Sequence, residues 1–312
     1  TNTQYTWIIK TNNTNITGQT AQATAQANFT QTLRNTTNAQ ETIVYTLTPI
    51  SGTCTGTAFD LTVQVNPTPE IVSETIAACS NAPITYSATH GSNNNIVPVN
   101  TQYTWTIKTN NTSITGQSAQ ATAQANFTQT LRNTTNTQQT IVYTLTPKSG
   151  TCTGTAFDLT VQVNPIPEIQ NSSPIICSGE NFNVTPANGG STIVPTNTTY
   201  TWTVTSNDNI TGEANQTTAQ NSISQTLTNT TNTVQTVTYT VTPTSGADGN
   251  CVGQTFQVLV TVNPKPSVTT PQSVAVCSNA SLTYVATNNG GNIIPVGTRY
   301  TWTIKTNNTA IT

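Results

Sequence analysis

Charge is what this sequence has least of. Its 312 residues include 8 basic and 10 acidic side chains, a net charge of −2. Nucleic-acid binding needs clustered Lys and Arg to neutralise phosphates, so that class is excluded. Methionine is absent and histidine occurs once, as His90. A hydrolytic triad needs a positioned base, and one histidine cannot serve a repeated unit. No apolar run approaches the roughly 20 residues of a membrane span, so no membrane insertion is expected. No CxxC pair occurs among the six cysteines, which argues against zinc. These absences point away from an enzyme and from any cofactor.

Tryptophan is also scarce, and its placement is ordered. Trp7, Trp105, Trp202 and Trp302 stand 98, 97 and 100 residues apart, each inside a Tyr-Thr-Trp string. A tandem repeat of about 98 residues follows. In Tyr103-Thr104-Trp105-Thr106-Ile107-Lys108 the large residues face one way, and Thr, Thr and Lys face the other. That period of two marks a half-buried strand. One Trp per repeat on a mid-chain strand is the arrangement of an immunoglobulin-like sandwich. The core of each repeat is therefore assigned to Trp7, Trp105, Trp202 and Trp302, with Tyr143 and Tyr239 on a later strand.

Thr supplies about a quarter of the residues, with Asn, Gln and Ser close behind. Such polarity could signal disorder. The alternation argues instead for folded strands whose solvent face is carried by β-branched Thr. Outward Thr-x-Thr rows such as Thr236 to Thr242 fit the same role more simply than an ice-binding face.

Repeat boundaries fall at Asn66–Glu70 (NPTPE), Asn164–Glu168 (NPIPE) and Asn263–Pro266 (NPKP). Paired prolines are stiff and cannot continue a ladder, so they read as short linkers. Residues 1–67 form a partial repeat lacking its first strands, and 68–165 and 166–264 are complete. Residues 265–312 form a partial repeat lacking its last strands. The expected fold is all-β, with tandem Ig-like sandwiches in an extended head-to-tail array, cut from a longer one. Within the second repeat, strands are expected near 70–77, 83–89, 102–109, 126–132, 139–146 and 155–163. The turn Lys148–Gly154 would join the last two as a hairpin. The stretch Ser113–Phe127 is read as an edge strand or a loop crossing between sheets, and no helix is expected.

Cys79, Cys177 and Cys277 lie between the first two strands of their repeats; Cys54, Cys152 and Cys251 lie in the last hairpin. Pairing within a repeat would give Cys79–Cys152 and Cys177–Cys251. In an Ig-like sandwich those turns lie at opposite ends, over ~20 Å apart, whereas a disulfide needs Cα atoms within about 7 Å. The favoured alternative is a staple between repeats, Cys79–Cys251. Either pattern implies an oxidising, extracellular compartment.

Other candidates are weaker. His90 reads as a solvated turn residue, and Asp60 and Asp158 occupy outward strand positions. Ala247–Asn250 (ADGN) resembles a fragment of a calcium loop but lacks the alternating ligand set. Asn-x-Thr sequons, as at Asn126 and Asn133, arise readily in a chain this rich in both residues.

The string ICSGENFNVTPANGGSTIVPTNTTYTWTV from Ile176 ends a few strands later in CVGQTFQVLVTVNPKP. This pattern resembles the PKD-like or Ig-like repeats of giant cell-surface adhesins of gliding bacteria. The resemblance covers the whole chain. Ordinary PKD domains follow the strand Trp with Trp-Asp-Phe-Gly-Asp-Gly chemistry, whereas Trp105 is followed by Thr-Ile-Lys. Kinship to those domains is thus at the level of the sandwich and its Trp. The resemblance implies type IX export, attachment at the cell surface and the shaft of an adhesin filament used in gliding. It implies as partners the neighbouring repeats, the motility and secretion machinery and an external polysaccharide or substratum. A glycan-binding repeat module and the non-catalytic spacer arm of a secreted enzyme are the alternatives.

Overall fold

A computed structural model describes residues 2–246, 249–269 and 271–306. The chain divides into two compact units, Thr1–Pro165 and Ile166–Thr312.

The second repeat, in the first unit, is the fullest copy. Its larger sheet runs in the order Gln120–Gln124, Gln102–Thr109, Gln139–Ser149, Phe157–Asn164, Glu74–Cys79. We call these the edge, Trp, Tyr, closing and opening strands. All neighbours are antiparallel except the opening and closing strands, which run parallel with Glu74 opposite Leu159 and Cys79 opposite Asn164. A second layer pairs Pro83–Tyr86 with Phe127–Thr130, and Ile114–Thr115 with Arg132–Asn133.

Alternation sets the faces. Along the closing strand Phe157, Leu159, Val161 and Val163 are buried while Asp158, Thr160 and Gln162 are only half-buried. Tyr103, Trp105, Ile141, Tyr143 and Leu145 face the same interior and meet Ile84, Tyr86, Ile114, Phe127 and Leu131 from the second layer. The Phe127 ring lies edge-on to both Trp105 and Tyr143, at centroid separations of 5.0 and 4.9 Å, a favoured aromatic geometry.

The expected strands at 102–109, 139–146 and 155–163 correspond to Gln102–Thr109, Gln139–Ser149 and Phe157–Asn164. The earlier ones shift. The first strand begins at Glu74 rather than near 70, because Glu70 instead bridges Ile96. The strand expected at 126–132 breaks at buried Leu131, where the chain leaves Pro83–Tyr86 and pairs with Ile114–Thr115. Ser113–Phe127 supplies a piece to each layer, Ile114–Thr115 and the edge strand. Gly116 makes the crossing, with φ of +87° and the Thr130 carbonyl oxygen 2.4 Å from where a Cβ would sit. Gly18 and Gly212 repeat that geometry. Helical structure among the described residues is a single 3-10 turn, Ser92–Asn94.

The first repeat contains the edge (Gln22–Gln26), Trp (Gln4–Thr11), Tyr (Glu41–Ser51) and closing (Phe59–Val65) strands. Its core comprises Trp7, Ile16, Ile43, Tyr45 and Leu47. Phe59 is 47% exposed, against 5% for the equivalent Phe157. In the second repeat the Tyr86 ring covers that position, 6.3 Å from Phe157.

In the second unit, the third repeat orders its large sheet as Ile175–Cys177, Phe256–Asn263, Gln235–Thr244, Thr199–Thr205, Gln216–Gln220. Phe182 and Ile223 occupy the places that Ile84 and Phe127 hold in the second repeat, since Gln225 pairs with Phe182 as Gln129 pairs with Ile84. The large and medium residues have exchanged strands at constant total volume, a swap that cores tolerate well. Phe182 then reaches the Tyr strand, 5.1 Å from Tyr239.

Trp302 departs from the expected core role. It is 86% exposed, against 4–5% for Trp7, Trp105 and Trp202. Those three gain their cover from a Tyr strand in register, Trp105 opposite Leu145 and Trp202 opposite Val241. Among the described residues no such strand stands beside Trp302.

Candidate functional site

The three repeats share one hydrogen-bonded frame around the Trp. In the second repeat the Trp105 indole Nε1 donates to the Ser118 carbonyl at 3.1 Å. The Gln129 side chain grips the same loop residue, with Nε2 donating to the Ser118 carbonyl and Oε1 accepting from the Ser118 N–H. Tyr143 then donates its hydroxyl to Gln129 Oε1 at 3.3 Å. Trp7, Thr20, Gln31 and Tyr45 form the first copy, and Trp202, Ala214, Gln225 and Tyr239 the third. Burial raises the Tyr143 phenol above its ordinary pKa; in Tyr239 burial does most of this and nearby Glu213 adds to it. Both rings stay neutral, so the frame ties the crossing loop to the core without bringing a charge inside.

A second repeated device closes the far end of each sandwich. Asn133 is 1% exposed, and its Nδ2 donates to the carbonyls of Thr137 and Val163. Its Oδ1 accepts from the N–H and hydroxyl of Thr135, while its own N–H donates to the Ser80 hydroxyl. Asn35 and Asn229 make the same bonds to their turns and closing strands. The side chain thus satisfies backbone groups that the turn would otherwise bury unpaired. Sequence reading passed over both devices. The signals were the strings Gln-Thr-Leu (31–33, 129–131, 225–227) and Asn-Thr-Thr-Asn (35–38, 133–136, 229–232) at the repeat spacing. The clasp also decides between the two sequons. Asn126 is exposed, whereas Asn133 has no free amide hydrogen to offer.

The model of the PKD-like domain matches residues 1–69, 76–167 and 174–266, well over half of the sequence. The chain belongs to the PKD-like domain family. No curated protein matches the sequence. Among solved structures, the chain is similar to the human desmocollin-1 ectodomain at 12% identity, covering 88% of this chain and 57% of that one, with a TM-score of 0.26. It is also similar to an I-band fragment of titin at 10% identity, covering 84% and 88% with a TM-score of 0.29. The chain spans little more than half of the desmocollin ectodomain.

Within the PKD-like repeats the remaining candidates occupy separate places. Lys108 pairs with Asp158 across the outer sheet face, as Lys10 does with Asp60. The lysine hydrogen bond holds each aspartate below the ordinary carboxylate range. Both pairs are solvent-facing and contribute little. Within the first unit Arg34 Nε donates to Glu70 Oε1 at 2.9 Å, tying the first repeat to the start of the second. An open cleft of about 490 Å³ beside this junction is lined by Asn38, Gln40, Asn66, Pro98, Val99 and Thr151, among others, with no aromatic ring in its wall. His90 accepts the Val97 N–H through Nδ1 in an exposed turn. No cluster of three or more His, Cys, Asp or Glu capable of holding a metal occurs among the described residues. In the ADGN string, Ala247 and Asp248 lie outside the described residues. No helix among the described residues is long and apolar enough to cross a membrane.

Cys54, Cys152, Cys177 and Cys277 are free, whereas Cys79 and Cys251 are disulfide-bonded. The within-repeat pairs Cys79–Cys152 and Cys177–Cys251 therefore each include a free thiol. Cys79 sits opposite Asn164, where the closing strand ends, and Cys152 lies in the hairpin before that strand begins. An intervening strand of about seven steps at ~3.3 Å separates them by roughly 23 Å, far beyond disulfide reach.

Proposed function

We propose that this chain is part of the shaft of a long cell-surface adhesin that serves attachment and gliding. The observation that carries the reading is the threefold recurrence of one frame, Trp to loop to Gln to Tyr, with the Asn clasp. Each repeat reproduces the means of holding a sandwich together. A protein built this way multiplies length at constant architecture, which is what a shaft requires. The nearly uncharged surface limits electrostatic capture of unwanted partners, and disulfide-bonded Cys79 and Cys251 suit an oxidising exterior. The partners of such a shaft are its neighbouring repeats, the surface motility and secretion machinery, and a polysaccharide or solid substratum met by another part of the protein.

A staple between successive repeats, Cys79–Cys251, belongs to this proposal. Peptide mapping under non-reducing conditions is expected to recover the two cysteine peptides joined; recovery of Cys79 linked to Cys152 would refute the staple.

The experiment for the function itself is time-lapse imaging of living source cells, labelled with an antibody raised against the second and third repeats. Label travelling along the cell body supports the mobile adhesin. Fixed surface label reduces the reading to a static stalk, and label found only in the medium favours the spacer arm of a secreted enzyme.

A further inference from the structure

In each complete repeat the larger sheet ends on one side at the opening strand and on the other at the edge strand, and among the described residues the edge strand recurs as a sheet end in all three repeats. Gln120–Gln124 ends the larger sheet and pairs only with the Trp strand. Gln22–Gln26 and Gln216–Gln220 hold the same place. Such edges are normally blunted by Lys, by Pro or by an inward charge, because an open row of N–H and C=O groups templates another strand. Residues 113–127 contain no charge and no proline, and the one blunting device present is a bulge, the register shift that sets Gln124 opposite Tyr103 and Gln120 opposite Trp105. At the centre of the strand, the Thr122 N–H reaches Gln120 Oε1 and the Thr122 carbonyl receives Gln124 Nε2, each at 3.4 Å. Thr24 is met by Gln22 and Gln26 in the same way. These contacts sit at the long end of hydrogen bonding, and a second strand offers shorter, straighter partners.

The sequence of the edge names the occupant. Ala119 to Ala125 reads Ala-Gln-Ala-Thr-Ala-Gln-Ala in both directions, and so does Ala21 to Ala27. In the third repeat Asn215 to Asn221 reads Asn-Gln-Thr-Thr-Ala-Gln-Asn, in which both ends have changed together from Ala to Asn but Thr217 and Ala219 break the symmetry, so the full palindrome belongs to the first two repeats. When two copies of such a strand meet antiparallel about a two-fold axis at the central Thr, each residue meets its own type: Gln120 faces Gln124 and Ala121 faces Ala123. A palindrome matters only for self-pairing of this kind, since a two-fold interface uses one patch on both subunits. Gln opposite Gln permits amide-to-amide hydrogen bonds across the strands. A net charge of −2 over 312 residues raises little barrier to the approach of a second copy.

We propose that the edge strands are lateral self-association surfaces, through which this chain pairs side by side with a second copy of itself. The inference stands apart from the gliding reading, because it concerns how two copies meet and not what they carry.

The test is sedimentation equilibrium of the full chain with its free thiols alkylated, over a wide concentration range. Two variants accompany it, one with Thr24, Thr122 and Thr218 all changed to Lys and one with all three changed to Glu. These positions are exposed, and circular dichroism checks that both variants stay folded. The native chain is expected to dimerise reversibly. Each variant alone sets like charges opposite one another and is expected to dimerise at least about tenfold more weakly. An equimolar mixture of the Lys and Glu variants is expected to recover the association. A native chain that stays monomeric throughout would overturn the proposal. So would a dimer that neither variant weakens, or a mixture that associates no better than its components.

Discussion

Replacing Trp105 by Ala tests the frame most directly. Trp105 is 4% exposed and packs against Phe127, which packs against Tyr143. Removing so large a buried side chain costs about 3–5 kcal/mol, through lost transfer free energy and the cavity left behind. The indole hydrogen bond adds modestly, about 0.5–1.5 kcal/mol at most, because the Ser118 carbonyl keeps Gln129 as a donor and is not orphaned. A domain of this size is stable by about 5–15 kcal/mol, so the second repeat would keep only a part of its margin. Its melting temperature should fall by roughly 15–30 °C. Hydrogen exchange read by mass spectrometry resolves the repeats and is the suitable assay. Protection should be lost across residues 102–164, while the strands of the third repeat, which has its own core, stay protected. Trp302→Ala serves as the internal contrast, because a side chain 86% exposed should cost under about 0.5 kcal/mol. A Trp105→Ala loss below about 1 kcal/mol, or an equal loss of protection in the third repeat, would refute the reasoning.

Asn133→Ala removes two donors and an acceptor from a buried turn and leaves the Val163 carbonyl without its side-chain partner; urea unfolding should register a loss of about 2–4 kcal/mol. Gly116→Ala forces a Cβ against the Thr130 carbonyl at a positive φ, and the same assay should show destabilisation of at least about 2 kcal/mol. Stability should also depend on alkaline pH. Tyr143 and Tyr239 have folded pKa values raised above the ordinary value near 10. Their contribution is therefore fully present below pH ~10 and is lost as pH rises toward the folded values. Chemical denaturation at stepped pH should show a plateau to about pH 9 and a decline above pH 10, and a stability that rises there would contradict the burial of the two phenols.

Strands with one buried and one wet face could be read directly from the chain. The Trp, Tyr and closing strands alternate large and polar residues over eight residues or more, and two or three copies agree on the register. The second layer was harder to read because its pieces are two to seven residues long and the stretch feeding it is small, polar and uncharged. Such a stretch carries no alternation for a face to impose. Trp302 shows the same limit from the other side. Its local string matches that of Trp105 almost residue for residue, yet burial needs a second strand in register.

The repeat, the β class, the inward face of each main strand and the palindrome of the edge in the first two repeats are all legible in the chain alone. Those properties depend on spacing and alternation along the chain, which are local. Tertiary packing settled which of the sequons at Asn126 and Asn133 is buried, which Gln joins the Trp to the Tyr, and that Phe and Ile exchange strands between repeats. It also decided that Gln120–Gln124 lies at an open edge rather than in the interior of the sheet. Each of these turns on what stands opposite a residue, and that partner comes from a strand tens of residues away.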